Sequence, residues 1–443
     1  MDFFKLPKPE IDNLVETSAR LLRRFPEAYN WIESTSQPKY LHWDKVRFKP
    51  LPDGVTPEEF WALVKTARRL SPSRVRTPVR DEKGVYFTWQ KVPGFDYFLH
   101  EADLGLGGFL ASVKVDDQSQ RQRFIARGIM EEAIASSQLE GANTTRRVAK
   151  RMLLEQREPK NESEQMILNN YCVMRDIEEG IKNQELSEDL LLQMHAALLK
   201  STEEAQNGGR YRKNADGIVI SNSLTGMIYH IPPKEKFIRR EMEKFVQFAN
   251  SDLTPQQFIH PVIKAIILHF WLGFLHPFVD GNGRLARTIF YWYLLRKDYW
   301  AFSYLPVSKV IKASPVQYRD AYVYSEQDDN DLTYFIDYNL RKISQARRQF
   351  ERHVRRQGAE NRKMLTTIRK RFTVNDRQVQ LIRFFHKNPE ATTSIRTHSQ
   401  IYDVSRVTAR KDLEELEQLG LLSSQKIGRV KPFSATDKLT GLL

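Results

Sequence analysis

Apolar residues recur every three or four positions on both sides of one short polar segment, His276–Arg287. This spacing is that of a buried helix face, so the pattern predicts two largely buried helices joined by a tight loop. The apolar positions are Ile263, Ile266, Ile267, Phe270, Trp271 and Phe274 before the segment and Leu285, Ile289, Trp292 and Leu295 after it. Candidate chemistry therefore concentrates in the loop between them.

Helical spacing also dominates the rest of the chain, so the predicted fold class is mainly α. The clearest β feature is a hairpin, in which two short apolar segments flank the turn-rich residues 221–226. His195 lies in an apolar helical pattern, and we interpret it as a core histidine. The predicted organisation is an N-terminal helical module at 1–110, a helical core at 111–340, a basic linker helix at 341–374 and a C-terminal domain at 375–443.

The C-terminal domain has a pattern of its own, with three short helices followed by two strands around 427–428. Ser405 is a favoured N-cap for the third helix, and Gly420 ends it. This arrangement resembles a winged helix-turn-helix, whose third helix meets the DNA major groove. The candidate DNA contacts are Arg406, Thr408, Arg410 and Lys411 in that helix and Lys426, Arg429 and Lys431 in the wing. The same module also serves in dimerisation or protein docking, so DNA binding is one of two alternatives.

The composition indicates a protein of the cytoplasm without membrane contact. Cys172 is the single cysteine, which excludes an intrachain disulfide, and we find no secretory signal at the N-terminus. The longest apolar run, 265–279, is interrupted by two histidines and falls short of the about 20 residues that a membrane span requires. The net charge is +14, of which +10 lies at 341–371, where twelve Lys or Arg stand against two Glu. We interpret that segment as a solvated helix, with an electrostatic contact to nucleic acid as the alternative.

The loop between the two buried helices carries groups suited to phosphate chemistry. Its Gly-Asn-Gly step lets the backbone N–H groups and the positive end of the next helix face one concavity. Arg284 and Arg287 add guanidinium groups that match phosphate oxygens. Asp280 is a carboxylate of the type that holds Mg²⁺ beside a nucleotide, and His276 takes up a proton near neutral pH. Together these groups indicate phosphoryl transfer.

The whole segment resembles the active-site signature of the Fic family, His-x-Phe-x-Asp/Glu-Gly-Asn-Gly-Arg-x-x-Arg, and matches it at every position. Most Fic proteins with an intact signature are adenylyltransferases, which move AMP from ATP to a hydroxyl of a target protein. The resemblance implies that His276 deprotonates a Ser, Thr or Tyr hydroxyl and that Asp280 binds Mg²⁺ at the α- and β-phosphates. It also assigns the other nucleotide contacts: Gly281, Asn282 and Gly283 at the α-phosphate, and Arg284 and Arg287 at the β- and γ-phosphates.

A second motif lies upstream, where Ser136 and Glu140 stand one turn apart on a helix that Gly141 ends. A carboxylate at a helix C-terminus opposes the helix dipole, which suggests a partner elsewhere. In the Fic family, Ser/Thr-x-x-x-Glu-Gly/Asn marks an inhibitory helix, here about 115–141. The resemblance implies that Glu140 binds Arg287, blocks the γ-phosphate site and keeps the isolated protein nearly inactive. In some relatives the same Glu positions a water that removes AMP, so de-adenylylation by the same site is a further implication.

The resemblance also gives roles to the hairpin and to two tyrosines. In Fic proteins a hairpin at this place, here about 217–231, is a flap whose edge pairs with an extended target segment. We assign Ile228 and Tyr229 to that edge, with an ordinary surface hairpin as the alternative. Tyr318 and Tyr322 lie on a helix that closes over the adenine in the family, although aromatic residues at this spacing also form helix cores.

Two functions from different classes follow. The first is an autoinhibited protein adenylyltransferase that uses ATP and Mg²⁺ and acts on a protein hydroxyl, its own included. The second is a DNA-binding transcriptional regulator whose Fic core senses a nucleotide with little turnover. The intact His276 favours the first, because a sensor needs no base. Transfer of another nucleotide or of a phosphate is less favoured, since such relatives often depart from the signature. The inhibitory helix is also the expected place for homodimer contacts.

Overall fold

The computed structural model describes residues 2–104, 118–222, 224–251, 254, 258–402, 404–425 and 431–441. The chain divides into two compact units, Met1–Phe350 and Glu351–Leu443. Most described residues lie in helices and the strands are short, so the predicted mainly α fold is confirmed. Among the helices of the described ranges, none has the length and apolarity to cross a membrane.

The N-terminal part of the first unit has a small core of its own. Its elements are α1 (Leu14–Arg24), α2 (Ala28–Trp31), α3 (Trp43–Val46), α4 (Pro57–Arg69), β1 (Arg74–Arg80), β2 (Tyr86–Gln90) and α5 (Phe95–Asp103). Asn13 caps α1, and a capping box of Thr56 and Glu59 begins α4, because these side chains bond the free N–H groups of the first turn. Leu21 of α1 and Phe60 of α4 pack in this core. β1 and β2 form an antiparallel hairpin.

Two buried helices lie at the centre of the first unit. The elements that follow α5 are α6 (Gln118–Leu139), α7 (Arg146–Glu155), α8 (Glu162–Glu179), α9 (Glu188–Leu199), β3 (Ile220–Ser221), β4 (Ile228–His230), α10 (Glu235–Asn250), α11 (Pro261–Leu275), α12 (Asn282–Arg296), α13 (Val307–Lys312) and α14 (Pro315–Gln327). α11 and α12 carry the ten apolar residues expected to be buried, and none of these is more than 6% exposed. Each such side chain contributes about 1.5–3 kcal/mol by leaving water, so this pair fixes the loop between them.

One sequence-based boundary falls within a helix of the structure. α15 (Thr333–Arg371) runs through the expected boundary at 340, and Ile343 and Ala346 are buried in the core of the first unit. The start of the expected linker helix is therefore packed rather than solvated. The expected start of the inhibitory helix, 115–117, and the boundary at 110 lie outside the described residues.

In its described residues, the second unit contains short helices around a small sheet. Its elements after α15 are α16 (Asp376–Lys387), β5 (Thr392–Thr393), α17 (Ile395–Tyr402), α18 (Arg406–Gln418), β6 (Leu422–Ser424), β7 (Phe433–Ala435) and α19 (Asp437–Thr440). The sheet has the order β5-β7-β6 and is antiparallel. Ile382, Phe385, Leu413, Leu416 and Phe433 form its core. The tip between β6 and β7, with Lys426 and Arg429, lies outside the described residues.

Candidate active site

The segment between α11 and α12 turns sharply because residues near both of its ends have left-handed backbone. α11 ends at His276, which has φ 45° and donates its N–H to the carbonyl of Leu272 at 3.0 Å. Gly281 has φ 80° and caps the start of α12. Glycine adopts this conformation without strain, whereas a histidine does so at a cost on the order of 1 kcal/mol. The conformation of His276 is therefore imposed by its surroundings.

Arg212 supplies much of that constraint. Its backbone N–H donates to the carbonyl of Pro277 at 2.9 Å, and its Nε donates to the carbonyl of His276 at 2.8 Å. Its Nη2 donates to the carbonyl of Pro233 at 2.5 Å. Arg212 thereby connects the segment that follows the hairpin to the loop between α11 and α12. The sequence pattern gave this residue no role, because an arginine in a loop usually faces solvent.

The half-buried imidazole of His276 lies at the start of the loop. Burial, together with the positive charges of His230 and Arg212, lowers the pKa of His276 to about 3. The imidazole is therefore neutral at neutral pH and free to accept a proton. Phosphate groups bound beside it would raise this pKa, so a bound nucleotide makes the imidazole a stronger base.

His230 anchors the flap strand β4 beside this loop. Its Nε2 donates to the carbonyl of Phe274 at 2.7 Å, and its Nδ1 lies 2.6 Å from a carboxylate oxygen of Glu326. Although burial opposes the charge, the Glu326 carboxylate raises the pKa of His230. Since both acceptors are oxygens without a proton to give, both ring nitrogens carry protons and the side chain is an imidazolium. Nothing in the sequence pattern pointed to this pair.

Asn282 holds the loop together from within. Its side-chain oxygen accepts the N–H of Phe278 at 3.0 Å, and its amide nitrogen donates to the carbonyl of Phe278 at 2.8 Å. Asn282 is 2% exposed. The resemblance to the Fic signature assigns this side chain to the α-phosphate, but here it is engaged with the backbone, because the sharp turn leaves both groups of Phe278 without helical partners.

His195 positions the same loop from α9. Its Nε2 donates to the carbonyl of Asp280 at 2.8 Å, and its Nδ1 accepts the N–H of Gly209 at 3.0 Å. Its ring stacks on Phe278 with centroids 3.7 Å apart. Burial lowers the pKa of His195 to about 4, in keeping with a neutral ring. The structure thus places it as the core histidine expected from the sequence, with an added contact to the loop.

Arg284 and Asp280 form an ion pair one helical turn apart. Nη2 of Arg284 lies 2.5 Å from Oδ2 of Asp280, and Nη1 donates to the carbonyl of Leu198 at 3.1 Å. Arg284 is completely buried, whereas the Asp280 side chain is 41% exposed. Within the described residues, Oδ1 of Asp280 accepts no hydrogen bond, so this carboxylate is open to a cation from the solvent side.

Arg287 binds the C-terminal end of α6. Its Nη2 donates to Oε1 of Glu140 and to the carbonyl of Ser136, both at 2.9 Å, and its Nε donates to Oγ of Ser136 at 2.8 Å. Arg287 and Ser136 are at most 3% exposed. Although burial opposes the charge, the Glu140 carboxylate raises the pKa of Arg287, which stays a guanidinium. The structure therefore brings together the two residues that the motifs paired, 147 positions apart.

The Glu140 carboxylate also covers the first turn of α12. A Cβ built at Gly283 would overlap the carboxylate oxygens of Glu140, so only a glycine leaves room for it there. The first N–H groups of a helix and its dipole stabilise negative charge. The carboxylate thus lies where sequence analysis expected phosphates. Gly141, with φ 101°, ends the turn that carries it.

A buried carboxylate holds α6 in this position. Glu132 accepts the hydroxyl of Tyr291 in α12 at 2.7 Å and the N–H of Ser308 in α13 at 2.9 Å. Burial raises the pKa of Glu132, and these donors lower it in part. Glu132 lies one turn before Ser136 and two turns before Glu140. Its hydrogen bonds therefore fix α6 against α12 and α13 close to both residues.

Tyr318 and Tyr322 pack on α11 near the buried arginine. Tyr318 shares a 2.7 Å hydrogen bond with Nε2 of His269, and the ring of Tyr322 lies so close to Gly273 that a Cβ there would overlap it. Burial raises the pKa of both phenols, and the positive charge of Arg287 lowers it in part. The two rings therefore pack against the core and adjoin the Arg287 site.

The hairpin places Ile228 and Tyr229 on β4, with Ile228 buried and Tyr229 half-buried. Ile220 and Ser221 of β3 pair with it on one side. The hydroxyl of Tyr229 accepts a hydrogen bond from Nη1 of Arg319 at 3.0 Å. The hairpin expected from the sequence is thus present and is tied to α14, and its role as a target flap stays a prediction.

In the second unit, Arg406, Arg410 and Lys411 are exposed on the first turns of α18. Thr408 differs, because its N–H donates to Oγ of Ser405 at 3.1 Å and the two hydroxyls lie 2.9 Å apart. It completes the helix cap and was assigned to DNA from its position alone. Lys431 lies 3.0 Å from Glu417.

Comparison with known proteins identifies two domains. Residues 185–294 match the Fic/DOC family, and residues 377–429 match the DeoR-like helix-turn-helix domain. The Drosophila sechellia protein adenylyltransferase Fic is 31% identical over 109 residues, which are 25% of this chain and 20% of that protein. The Drosophila ananassae protein of the same name is 28% identical over 119 residues, 27% of this chain and 22% of that protein. The chain therefore spans about a fifth of the length of these curated relatives.

Solved structures share the fold at low sequence identity. A Fic family protein from Desulfovibrio desulfuricans G20 has a TM-score of 0.50 at 19% identity and covers 77% of this chain and 96% of its own. Fic-1 from C. elegans has a TM-score of 0.51 at 14% identity and covers 79% of this chain and 90% of its own. The chain thus contains a Fic domain, which a DeoR-like helix-turn-helix domain follows.

Proposed function

We propose that the chain is a protein adenylyltransferase that its own Glu140 restrains. The observation that carries this proposal is the ion pair of Glu140 with the buried Arg287 at the first turn of α12. A helix N-terminus with a buried guanidinium attracts an anion, and the nucleotide phosphates are anions of that kind. The adenylyltransferases that share part of the sequence support the choice of AMP as the group transferred.

The reaction uses the groups of the loop in order. The target hydroxyl oxygen attacks the α-phosphorus of ATP, the bond from that phosphorus to the bridging oxygen of the β-phosphate breaks, and pyrophosphate leaves. His276 accepts the hydroxyl proton, since its imidazole is neutral before the reaction. The first amides of α12, with Arg284 and Arg287, face the charge that develops on the phosphates.

Mg²⁺ fits the one open carboxylate of the loop. Mg²⁺ bound with a nucleotide usually takes one or two carboxylates, the substrate phosphates and water. Asp280 would hold it through Oδ1, which accepts no hydrogen bond from the described residues. The cation would neutralise phosphate charge and leave the proton transfer to His276.

Glu140 restrains the enzyme by occupying Arg287. An ATP molecule whose γ-phosphate is excluded from this guanidinium binds in a pose from which the α-phosphorus is misplaced. A carboxylate at this place also suits the reverse reaction, in which Glu140 positions a water for removal of AMP. Both activities then belong to one site and differ in the placement of Glu140.

The test is transfer of radiolabelled AMP from α-³²P-ATP, with the intact mass of the protein as a second readout. Glu140→Gly is expected to raise self-labelling at least tenfold, because it releases Arg287 and clears the first turn of α12. Adding His276→Ala to Glu140→Gly should lower labelling about 10²–10⁴-fold, the usual contribution of a general base.

The matched control removes a different carboxylate from the same helix. Glu131 pairs with Arg146 rather than with the loop. Glu140→Gln should therefore activate, whereas Glu131→Gln should not. If ATP binds and neither Glu140→Gly nor Glu140→Gln is labelled, the proposal is rejected.

DNA binding is the second candidate function. Its support is the exposed basic start of α18 in a DeoR-like helix-turn-helix domain. A transcriptional regulator built on this domain is compatible with an active Fic domain in the same chain.

A further inference from the structure

The flap strand β4 is paired on its outer edge with the N-terminal segment of the same chain. Ile228 donates its N–H to the carbonyl of Asp2 at 2.9 Å, and its carbonyl accepts the N–H of Phe4 at 2.8 Å. Phe3 and Ile228 form a parallel bridge. β3 pairs with the other edge of β4, so residues 2–4 bond the outer edge of the flap through one parallel bridge.

Side chains of α14 hold the segment in place. Gln327 donates from Nε2 to the carbonyl of Phe4 at 2.8 Å and accepts the N–H of Leu6 at 2.9 Å, as a neighbouring strand would. Leu6 is buried and Lys5 is exposed, which is the alternation of a strand. Pro7 has no N–H to donate, so the pairing ends there.

Phe4 fills an aromatic subsite beside the flap. Its ring packs edge-on against Tyr229, with centroids 5.3 Å apart and planes at 62°. The guanidinium of Arg319 lies 4.6 Å from the Tyr229 ring and 5.9 Å from the Phe4 ring. The adjacent Phe3 is 40% exposed. Backbone pairing with alternate side chains in pockets is the usual mode of peptide recognition at a sheet edge.

We propose that Asp2–Leu6 occupies in cis the edge on which an extended target segment docks, and that a target must displace it. The target then carries an aromatic residue at the position of Phe4. The segment cannot itself be modified, because the first hydroxyl side chain of the chain belongs to Thr17. The effect on AMP transfer rests on the proposed function, whereas the pairing does not.

The edge lies beside the catalytic loop. Tyr229 is followed by His230, which bonds the carbonyl of Phe274, two residues before His276. A strand on β4 therefore competes for the place from which a target hydroxyl would reach His276. The Asp2–Leu6 segment fills this edge and has no hydroxyl side chain, so it lowers AMP transfer independently of Glu140.

The test measures binding of a fluorescent peptide of residues 2–9 to the full chain and to a variant that lacks residues 2–6. The variant should bind at least tenfold more tightly, since its edge is free. A peptide with Phe4→Ala should bind the variant about tenfold more weakly, whereas the matched Phe3→Ala peptide should bind as the parent does. In full-length protein, Phe4→Ala should admit the parent peptide more readily than Phe3→Ala does, which tests the pairing without a deletion.

Equal peptide binding by the full chain, its Phe4→Ala and its Phe3→Ala variant would overturn the inference. AMP transfer, measured in the Glu140→Gly background, separates the two proposals. If the peptides behave as expected and no variant transfers AMP, the docking edge stands and the proposed function falls. If Glu140→Gly transfers AMP but the full chain and its variants bind the peptide equally, the proposed function stands and the docking edge falls.

Discussion

At the residue scale, the partners of a histidine decide its charge and its role. His276 and His195 are both neutral, yet His276 bonds the backbone of Gly273 alone among the described residues, whereas both ring nitrogens of His195 bond backbone groups. His230, between a carbonyl and a carboxylate, is charged. The sequence marked His276 through its motif and His195 through its apolar pattern. His230 carried no signal, because its partners are distant along the chain.

The neutral histidines predict loss of stability in acid. Burial lowers the pKa of His195 to about 4 and that of His269 and of His276 to about 3, whereas an unfolded imidazole titrates near pH 6.5. Between the folded and unfolded pKa values, the unfolded chain therefore binds more protons than the folded chain. The stability contributed by the three neutral histidines is fully present above pH 6.5 and is lost as the pH falls towards 3. His230 acts in the opposite sense, because its raised pKa favours the folded state at low pH.

Thermal unfolding between pH 7 and pH 4.5 checks this prediction. His269→Gln should reduce the fall in the midpoint temperature, since one proton uptake is removed. The exposed His100 gives the matched control, and His100→Gln should follow the wild type. If the midpoint temperature of His269→Gln falls as far as that of the wild type, burial of this ring does not govern the loss of stability in acid.

At the element scale, the loop is shaped by what surrounds α11 and α12. Their apolar pattern predicts both helices, and Gly281 predicts the turn. The hydrogen bonds that aim the loop come from Arg212, after α9, and from His195 within α9. Such contacts arise only when elements pack side by side, so periodicity does not report them.

Arg212→Lys should lower AMP transfer in the Glu140→Gly background about 10- to 100-fold, because misplacement of a catalytic group by about 1 Å costs up to that much. A lysine has one nitrogen and does not reproduce the bonds to both His276 and Pro233. Transfer rates under saturating ATP measure the effect. The nearby Arg210, which pairs with Asp216, is the control, and equal rates for Arg210→Lys and Arg212→Lys would contradict the prediction.

At the scale of the whole molecule, the chain joins a Fic domain to a DeoR-like helix-turn-helix domain. The second domain has its own core, formed by Ile382, Phe385 and Leu413 among others. Its basic residues on α18 are not needed for that core, since they are exposed. This exposed basic helix start in a DeoR-like helix-turn-helix domain is the basis of the proposed DNA binding.

Arg406→Ala with Arg410→Ala should weaken binding to duplex DNA and reduce by about two the slope of log affinity against log salt. Titration of a labelled pool of duplexes at several salt concentrations measures both. Arg239→Ala with Arg240→Ala removes two exposed charges from α10 in the first unit and should leave both unchanged. Equal effects of the two double variants would mean that net charge alone drives the binding. AMP transfer should persist in both.

The sequence by itself determined the features that local pattern encodes. These are the helical fold class, the two buried helices, the loop with its signature, the hairpin and the C-terminal domain, because apolar spacing, glycines and caps act over a few residues. Only the tertiary structure decided which distant groups meet. The motifs had already paired Glu140 with Arg287, whereas the structure alone placed the carboxylate on the first turn of α12, engaged Asn282 with Phe278, and placed Asp2–Phe4 on the flap. Hydrogen bonds and ion pairs are short-ranged, so they are settled by the packing of elements and not by order along the chain.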